Sequence, residues 1–352
     1  MLCRNWFRWA QTLEGENIMR KISRRSFLAV SVAAAAVGVL TACGSSSSAS
    51  TAGSAAASSD GSYTVGICQL VEHEALDSAT QGFEDALKDQ LGDAVTIDFK
   101  NAQNDPATCA TICNAFVSAN VDLILANATP ALQAAQAATA DIPILATSIT
   151  EYGVALGIED FNGTVGGNIS GTSDLAPLDE QAAMILEWFP EAKTAGLLYC
   201  SAEANSQYQV DVVQAELEAA GLTVTQYPFS DSNDLSSVCQ QAATESDVLY
   251  VPTDNTVAAN TGIVDGICRP MGKPVFAGEE GICRGCGVAT LSISYYDLGY
   301  TTGEMAAQIL TGEADIAAMP IQYTNVTKKY NPTICEELGL TVPEGYEAIE
   351  EA

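Results

Sequence analysis

The chain has 352 residues, enough for about two domains of ordinary size, and with 47% hydrophobic and 16% charged residues it can bury a core and is not disordered. Its formal charge is −30, and beyond Cys43 eight Lys/Arg stand against 42 Asp/Glu, a net of −34. Such a surface repels phosphate polymers, which excludes nucleic acid as an expected partner.

Six of the 14 basic residues lie in the first 25 positions. Met19 opens a second possible start, Met-Arg-Lys-Ile-Ser-Arg-Arg, followed by an apolar run from Phe27 to Leu40. That run has the length of a signal h-region and is too short to span a bilayer comfortably. Leu40-Thr41-Ala42-Cys43 resembles a bacterial lipobox, so residues 1–43 are expected to be leader and lipoprotein signal, with Cys43 lipidated. A plain cleaved signal with a chance Cys is the bland alternative. Ser23-Arg24-Arg25-Ser26-Phe27-Leu28 resembles a twin-arginine export motif, which leaves both export routes open. Residues 44–61, rich in Ser, Ala and Gly, read as a flexible tether.

Strand and helix then alternate. Tyr63–Leu70 predicts a strand and Leu76, Ala79, Phe83, Ala86 and Leu87 a helix stripe. Val95–Phe99 is a strand, and Asn104-Asp105-Pro106 starts a helix with Cys109, Ile112, Cys113, Phe116 and Val117 inward. Leu123–Ala126 reads as a strand buried on both faces. After it, Thr129 and Pro130 suit a helix cap and a first helical position. Ile142–Ala146 is the fourth strand, ending in Thr147-Ser148-Ile149-Thr150. The pattern restarts after Asp174, with strands at Thr194–Cys200, Thr223–Tyr227, Val248–Val251, Pro274–Ala277 and Val288–Ile293 and amphipathic helices between them. A helix over Tyr296–Leu310, the segment Ile321–Val326 and a short helix near Thr333–Leu338 close the chain. This spacing predicts an α/β protein of two Rossmann-like lobes with parallel sheets and right-handed crossovers. A ligand then belongs in the cleft where strand ends of both lobes converge. No Gly-x-Gly-x-x-Gly follows the first strand and no Walker-type Gly-Lys-Ser/Thr occurs, so a nucleotide cofactor is not supported.

His73 is the single histidine, flanked by Glu72 and Glu74, and reads as a solvated or hinge-side residue rather than a catalytic base. No nucleophile elbow is present, so an exported enzyme on the same fold is the weaker alternative. Nine cysteines remain after Cys3 and Cys43, and Cys109, Cys113, Cys239 and Cys268 fall on apolar helix stripes. Cys283-Arg284-Gly285-Cys286 reads as a loop, open to a local disulfide or to free thiols. No matched second pair supports a metal site.

Several segments together resemble one family. They are Gln69–Asp77, Ala128–Ala131, Gly166–Asp174, Asn205-Ser206, Pro252–Val257 and Tyr295–Gly299. The family is that of the ABC transporter substrate-binding proteins with the type I periplasmic-binding fold, in the group labelled tryptophan/tyrosine-binding, and the resemblance runs from about Tyr63 to Pro343. It implies a monomeric lipoprotein, anchored outside a Gram-positive-type cell, that delivers a small ligand to a membrane permease. It also implies three chain crossings, expected near Ser173–Pro177, Ser292–Ser294 and Met319–Ile321. The lobes are then residues 62–174 with 294–320, and 175–293 with 321–352. The sequence departs from the family pattern at Glu74, where Pro is common, and at Glu279, where Asp is usual.

On this resemblance the ligand is an amino acid. Thr129, Thr147, Ser148 and nearby backbone N–H groups suit its carboxylate at helix N-termini. Asp254 and Glu279, from the other lobe, suit its ammonium, with Asn205 and Asn255 orienting either group and Gln69 facing the cleft. Leu76, Tyr152, Tyr208 and Tyr295 are the expected walls for an apolar or aromatic side chain. The plainer reading is that Thr129 and Asp254 cap helices and Tyr295 is a hinge or core residue. A sugar, nucleoside or other small solute in the same fold is the alternative ligand class.

Overall fold

The computed structural model describes residues 62–350. The leader, the tether and the expected lipidation site at Cys43 lie outside them.

The strands are β1 (Tyr63–Gln69), β2 (Val95–Asn101), β3 (Leu123–Asn127), β4 (Ile144–Ile149), β5 (Ile169–Ser173), β6 (Thr194–Cys200), β7 (Thr223–Phe229), β8 (Val248–Val251), β9 (Val275–Ala277), β10 (Ala289–Ile293), β11 (Gln322–Tyr323), β12 (Val326–Tyr330) and β13 (Glu347–Ala348). The helices are α1 (Glu74–Leu91), α2 (Pro106–Ala119), α3 (Thr129–Ala138), α4 (Tyr152–Leu156), α5 (Leu178–Trp188), α6 (Ala204–Ala219), α7 (Ser232–Glu245), α8 (Asn255–Ala258), α9 (Thr261–Cys268), α10 (Glu280–Cys286), α11 (Tyr295–Leu310) and α12 (Pro332–Glu337). They build two sheets, ordered β11-β5-β4-β3-β1-β2 and β13-β12-β10-β9-β8-β6-β7. Every neighbouring pair is parallel except β10 with β12.

Strands such as β8, and β3 up to its closing Asn127, sit at sheet centres with both faces buried, which is why they read as hydrophobic runs. The helix starts follow local chemistry. Asp105 accepts from Ala107 N ahead of Pro106 in α2, and Asn120 closes that helix in the left-handed conformation. At α3 the capping position falls on Ala128, at φ 89°, and Thr129 is already helical, so Thr129 is not the cap the sequence predicts.

The chain passes between the sheets after β5, after β10 and after β11. The third passage falls at Thr324–Asn325 rather than at Met319–Ile321, because Ile321 packs into the first lobe's core and Gln322 and Tyr323 pair with Thr172 and Ser173 of β5. Within the first lobe α1 and α11 lie backbone to backbone. A methyl group at Gly299 would sit 1.8 Å from Ala79 O, and one at Gly82 would sit 2.1 Å from Tyr296 O.

The nine cysteines among the described residues are all buried free thiols. Cys283 and Cys286 lie in α10, not in a loop, and pack into the second lobe's core. Among the described residues no helix is long and apolar enough to cross a membrane.

Candidate functional site

The strand ends of both lobes face each other across a narrow cleft whose cavity is about 10 Å³. The first lobe lines it with His73, Leu76, Ser148 and Thr150, and the second with Asn205, Thr253, Asp254, Asn255, Ala258 and Glu279. Asp174 and Tyr295 come from the first two crossings. The lobes touch around it: His73 Nε2 lies 3.2 Å from Asn255 Oδ1, and Asn104 Nδ2 donates to Thr256 Oγ1 at 3.1 Å. Burial lowers the His73 imidazole below its ordinary range, so it is a cleft contact and not the solvated residue that its acidic neighbours in sequence suggest.

Ser148 owes its position to a break in the ladder. The β4–β5 register shifts between Ala146 and Ile149, and Ser148 takes φ 57° within that irregularity. A non-glycine residue in that region is uncommon, and such conformations collect at binding sites. Ser148 Oγ is buried without a hydrogen-bond partner in the protein. The same holds for Asp174 Oδ1 and Asn205 Oδ1. Buried polar atoms are almost always paired, so three orphans on the walls of one cavity mark groups aimed at a ligand. They comprise one hydroxyl donor and two acceptors. Asp174 Oδ2 is already engaged by the Tyr295 hydroxyl at 2.8 Å, which ties the first crossing to the second. Burial raises the Asp174 carboxyl above its usual range, and a bound cation would counter that.

The two acids expected to hold an ammonium are occupied. Asp254 Oδ1 accepts from Val257 N at 2.9 Å as the cap of α8, and Oδ2 accepts from Cys200 N at 2.7 Å. Glu279 caps α10 through Gly281 N and Ile282 N. Asn255 is largely engaged too, its backbone N–H and one Nδ2–H donating to Glu203 Oε2, while Thr256 N and Oγ1 donate to Glu203 Oε1. That buried glutamate, unremarked in the sequence, fixes the whole α8 start.

Burial, then the charge of Glu203, pushes Asp254 up to about 8, and burial pushes Glu279 up to about 7. Both lie above the roughly pH 4 of an unfolded carboxylate. The folded protein therefore holds protons that the unfolded chain has released, and stability falls as pH rises from about 4 through 7 to 8. Ligand-free thermal midpoints are expected to be higher at pH 5 than at pH 8. His73, whose lowered pKa works the other way below about pH 6.5, narrows the difference at the acid end, so a midpoint that climbs between pH 7 and 8 would mean that both acids are ionised in the fold.

Five predicted site residues do not line the cavity. Gln69 turns to α1, with Nε2 on Asp77 Oδ1 at 2.6 Å and Oε1 taking Thr80 Oγ1 at 2.6 Å. Thr129 is buried in the first turn of α3. Thr147 accepts from Thr172 Oγ1 at 3.1 Å, behind the strand end. Tyr152 donates to Ala146 O and Thr172 O, both at 3.0 Å, inside the first lobe. Tyr208 packs half-buried on the second lobe's core. The sequence missed His73, Thr150, Asp174, Thr253 and Ala258 as cavity residues. The signal for Asp174 was an acid closing the short run Ile169–Ser173, which reads as a strand only if its polar side chains are allowed to be buried.

Two α/β lobes with a polar cavity between their strand ends, joined by three crossings, define a solute-binding protein of the type I periplasmic-binding fold. The chain belongs to the family of ABC transporter substrate binding proteins, whose family model matches residues 64–349. These are binding proteins and not enzymes; they take up small ligands outside the cytoplasm and work with ABC permeases. The chain is 38% identical over 267 residues to a tyrosine-binding protein of Clostridioides difficile (strain R20291), covering 74% of this chain and 77% of the relative. It is similar to an ABC domain from Streptococcus pneumoniae solved in complex with L-Trp, at 33% identity and TM-score 0.77, covering 82% of this chain and 99% of that one. It is also similar to the ligand-free, open structure of a substrate binding protein with adhesive properties from Clostridium difficile. That match has 38% identity and TM-score 0.63, covering 82% of this chain and 100% of that one. The contacts from His73 to Asn255 and from Asn104 to Thr256 hold the lobes against each other over the cleft.

Proposed function

We propose that the protein is the lipid-anchored receptor of an ABC importer, capturing an amino acid with an apolar or aromatic side chain and presenting it to the permease. The observation that carries this reading is the set of orphaned atoms, Ser148 Oγ, Asp174 Oδ1 and Asn205 Oδ1, around one cavity. An α-amino acid offers an acceptor and a donor on one carbon. The Ser148 hydroxyl suits the carboxylate, and Asp174 with Asn205 suits the ammonium. Asp174 offers the one unpaired carboxylate oxygen on the cavity wall and no Lys or Arg lines it, which suits a ligand bearing an ammonium. Because the groups come from both lobes and the crossing, all of them reach the ligand only when the lobes are shut, so binding favours closure. The tyrosine and L-Trp relatives support an aromatic side chain, and Leu76 and Tyr295 offer apolar wall. The lipid anchor rests on the Leu40–Cys43 motif.

The test is a thermal-shift screen of protein refolded free of carried-over ligand, against amino acids, sugars and nucleosides. A ligand at 100 times its Kd adds about 2.7 kcal/mol of stability. Tyrosine, tryptophan or other apolar amino acids are expected to raise the midpoint. A rise with sugars or nucleosides alone would overturn the amino-acid assignment and keep the importer role.

A further inference from the structure

Outside the cavity one charged contact spans the mouth of the cleft. Glu74 opens α1 in the first lobe, and Arg284 lies in the last turn of α10 in the second. Arg284 Nε sits 3.0 Å from both Glu74 carboxylate oxygens, and Nη2 sits 2.9 Å from Oε1. The guanidinium is also held by its own lobe, with Nη2 2.9 Å from Glu280 Oε1 and Nη1 donating to the Glu350 carbonyl. Among the described residues this is the one ion pair that joins the lobes.

The charge balance gives the contact weight. Only eight cations follow Cys43, against 42 acids. With Arg284 neutral, closure would bring Glu74 towards Glu280, whose other oxygen keeps Lys329 at 2.7 Å, but would leave Glu74 itself facing no cation. An exposed ion pair ordinarily contributes little, partly because two long side chains must be fixed to make it. Here the two acceptors in its own lobe already orient the Arg284 fork, so less freedom is lost on closing.

We propose that Glu74 and Arg284 are affinity-determining residues that act through lobe closure, clasping the shut cleft and cancelling repulsion between its acidic rims. This rests on the reading above that closure captures the ligand. Neither residue is placed against the ligand, so their effect must appear in closure itself.

The test pairs calorimetric titration of the full chain with L-tyrosine and L-tryptophan, at low ionic strength, with amide hydrogen exchange of residues 73–78 and 280–286. Glu74→Gln is expected to raise Kd about 3- to 5-fold and Arg284→Gln about 10-fold. In both variants exchange quickens on both cleft walls. The double variant is expected to be no weaker than Arg284→Gln alone, because both changes remove one contact. Single variants with unchanged Kd and unchanged exchange, or losses that multiply in the double variant, would overturn the proposal. If the parent chain binds neither amino acid, the ligand assignment fails, while exchange in the ligand-free variants still decides the clasp: faster supports it, equal overturns it. Should Arg284→Gln not fold, Glu74→Gln, at a side chain 51% exposed, decides by the same readouts.

Discussion

Asp174→Asn is expected to weaken amino-acid binding by about 100-fold or more while leaving the ligand-free protein at least as stable at pH 8. Asp174 Oδ1 is a buried acceptor with no partner in the protein, and its fellow oxygen is fixed by Tyr295. An ammonium paired there is a buried ion pair, and removing one member of such a pair costs about 3–5 kcal/mol. At about 1.4 kcal/mol per tenfold, that gives the stated loss. The stability effect runs the other way. Burial raises the folded carboxyl's pKa above its unfolded value, so ionisation at high pH works against the fold. The amide carries no charge and still offers an oxygen to the Tyr295 hydroxyl. Calorimetric titration and a denaturant midpoint on the same sample separate the two effects. Unchanged affinity in a folded variant would remove Asp174 from the site.

Gly299→Val is expected to be the most damaging single change outside the cleft. The added carbon would meet the Ala79 carbonyl at 1.8 Å, and the obstruction is backbone, which cannot swing aside as a flexible side chain can. Overpacking ordinarily costs about 1–3 kcal/mol, and a clash between two helix backbones belongs at or above the top of that range. The loss is expected to be about 3 kcal/mol or more in urea unfolding. Because α11 begins at Tyr295, pushing α11 off α1 also shifts a cavity wall, so affinity is expected to fall with stability. An unchanged midpoint would mean that the two helices do not pack this closely.

The alternation of strand and helix was legible because most strands are apolar runs buried on both faces. β5 was not, because it is polar. Ser170 donates to Met319 O, Thr172 meets Thr302 across 2.8 Å, and Ser173 donates to Thr150 O. A strand whose side chains are buried by hydrogen bonding carries no hydrophobic signature, and missing it hid Asp174 at its end. The strand-end logic located the cleft but not the direction of each side chain. Gln69 ends β1 and Thr147 lies inside β4, yet partners on the following helix or the neighbouring strand, Asp77, Thr80 and Thr172, hold them away from the cleft. Asp254 and Glu279 were recognised as important acids; that their oxygens are filled by backbone N–H groups depends on local helix starts, the plainer reading weighed for Asp254. The turn of Ser148 into the cleft depends on a register shift between two strands, which no single stretch of sequence displays.

The enclosed cavity has a kinetic consequence. With contacts such as His73 to Asn255 and Glu74 to Arg284 drawn across its mouth, a captured molecule leaves chiefly when the lobes part. Residence time is then set by how often the lobes part rather than by how tightly each polar group grips, and lobe motions of this kind fall in the microsecond-to-millisecond range. A change that leaves the cavity untouched but loosens its mouth would shorten residence while every group facing the ligand stays the same. Two ligands of unequal affinity would leave at rates that differ by their effect on opening, so competition at the permease becomes a contest of dwell times.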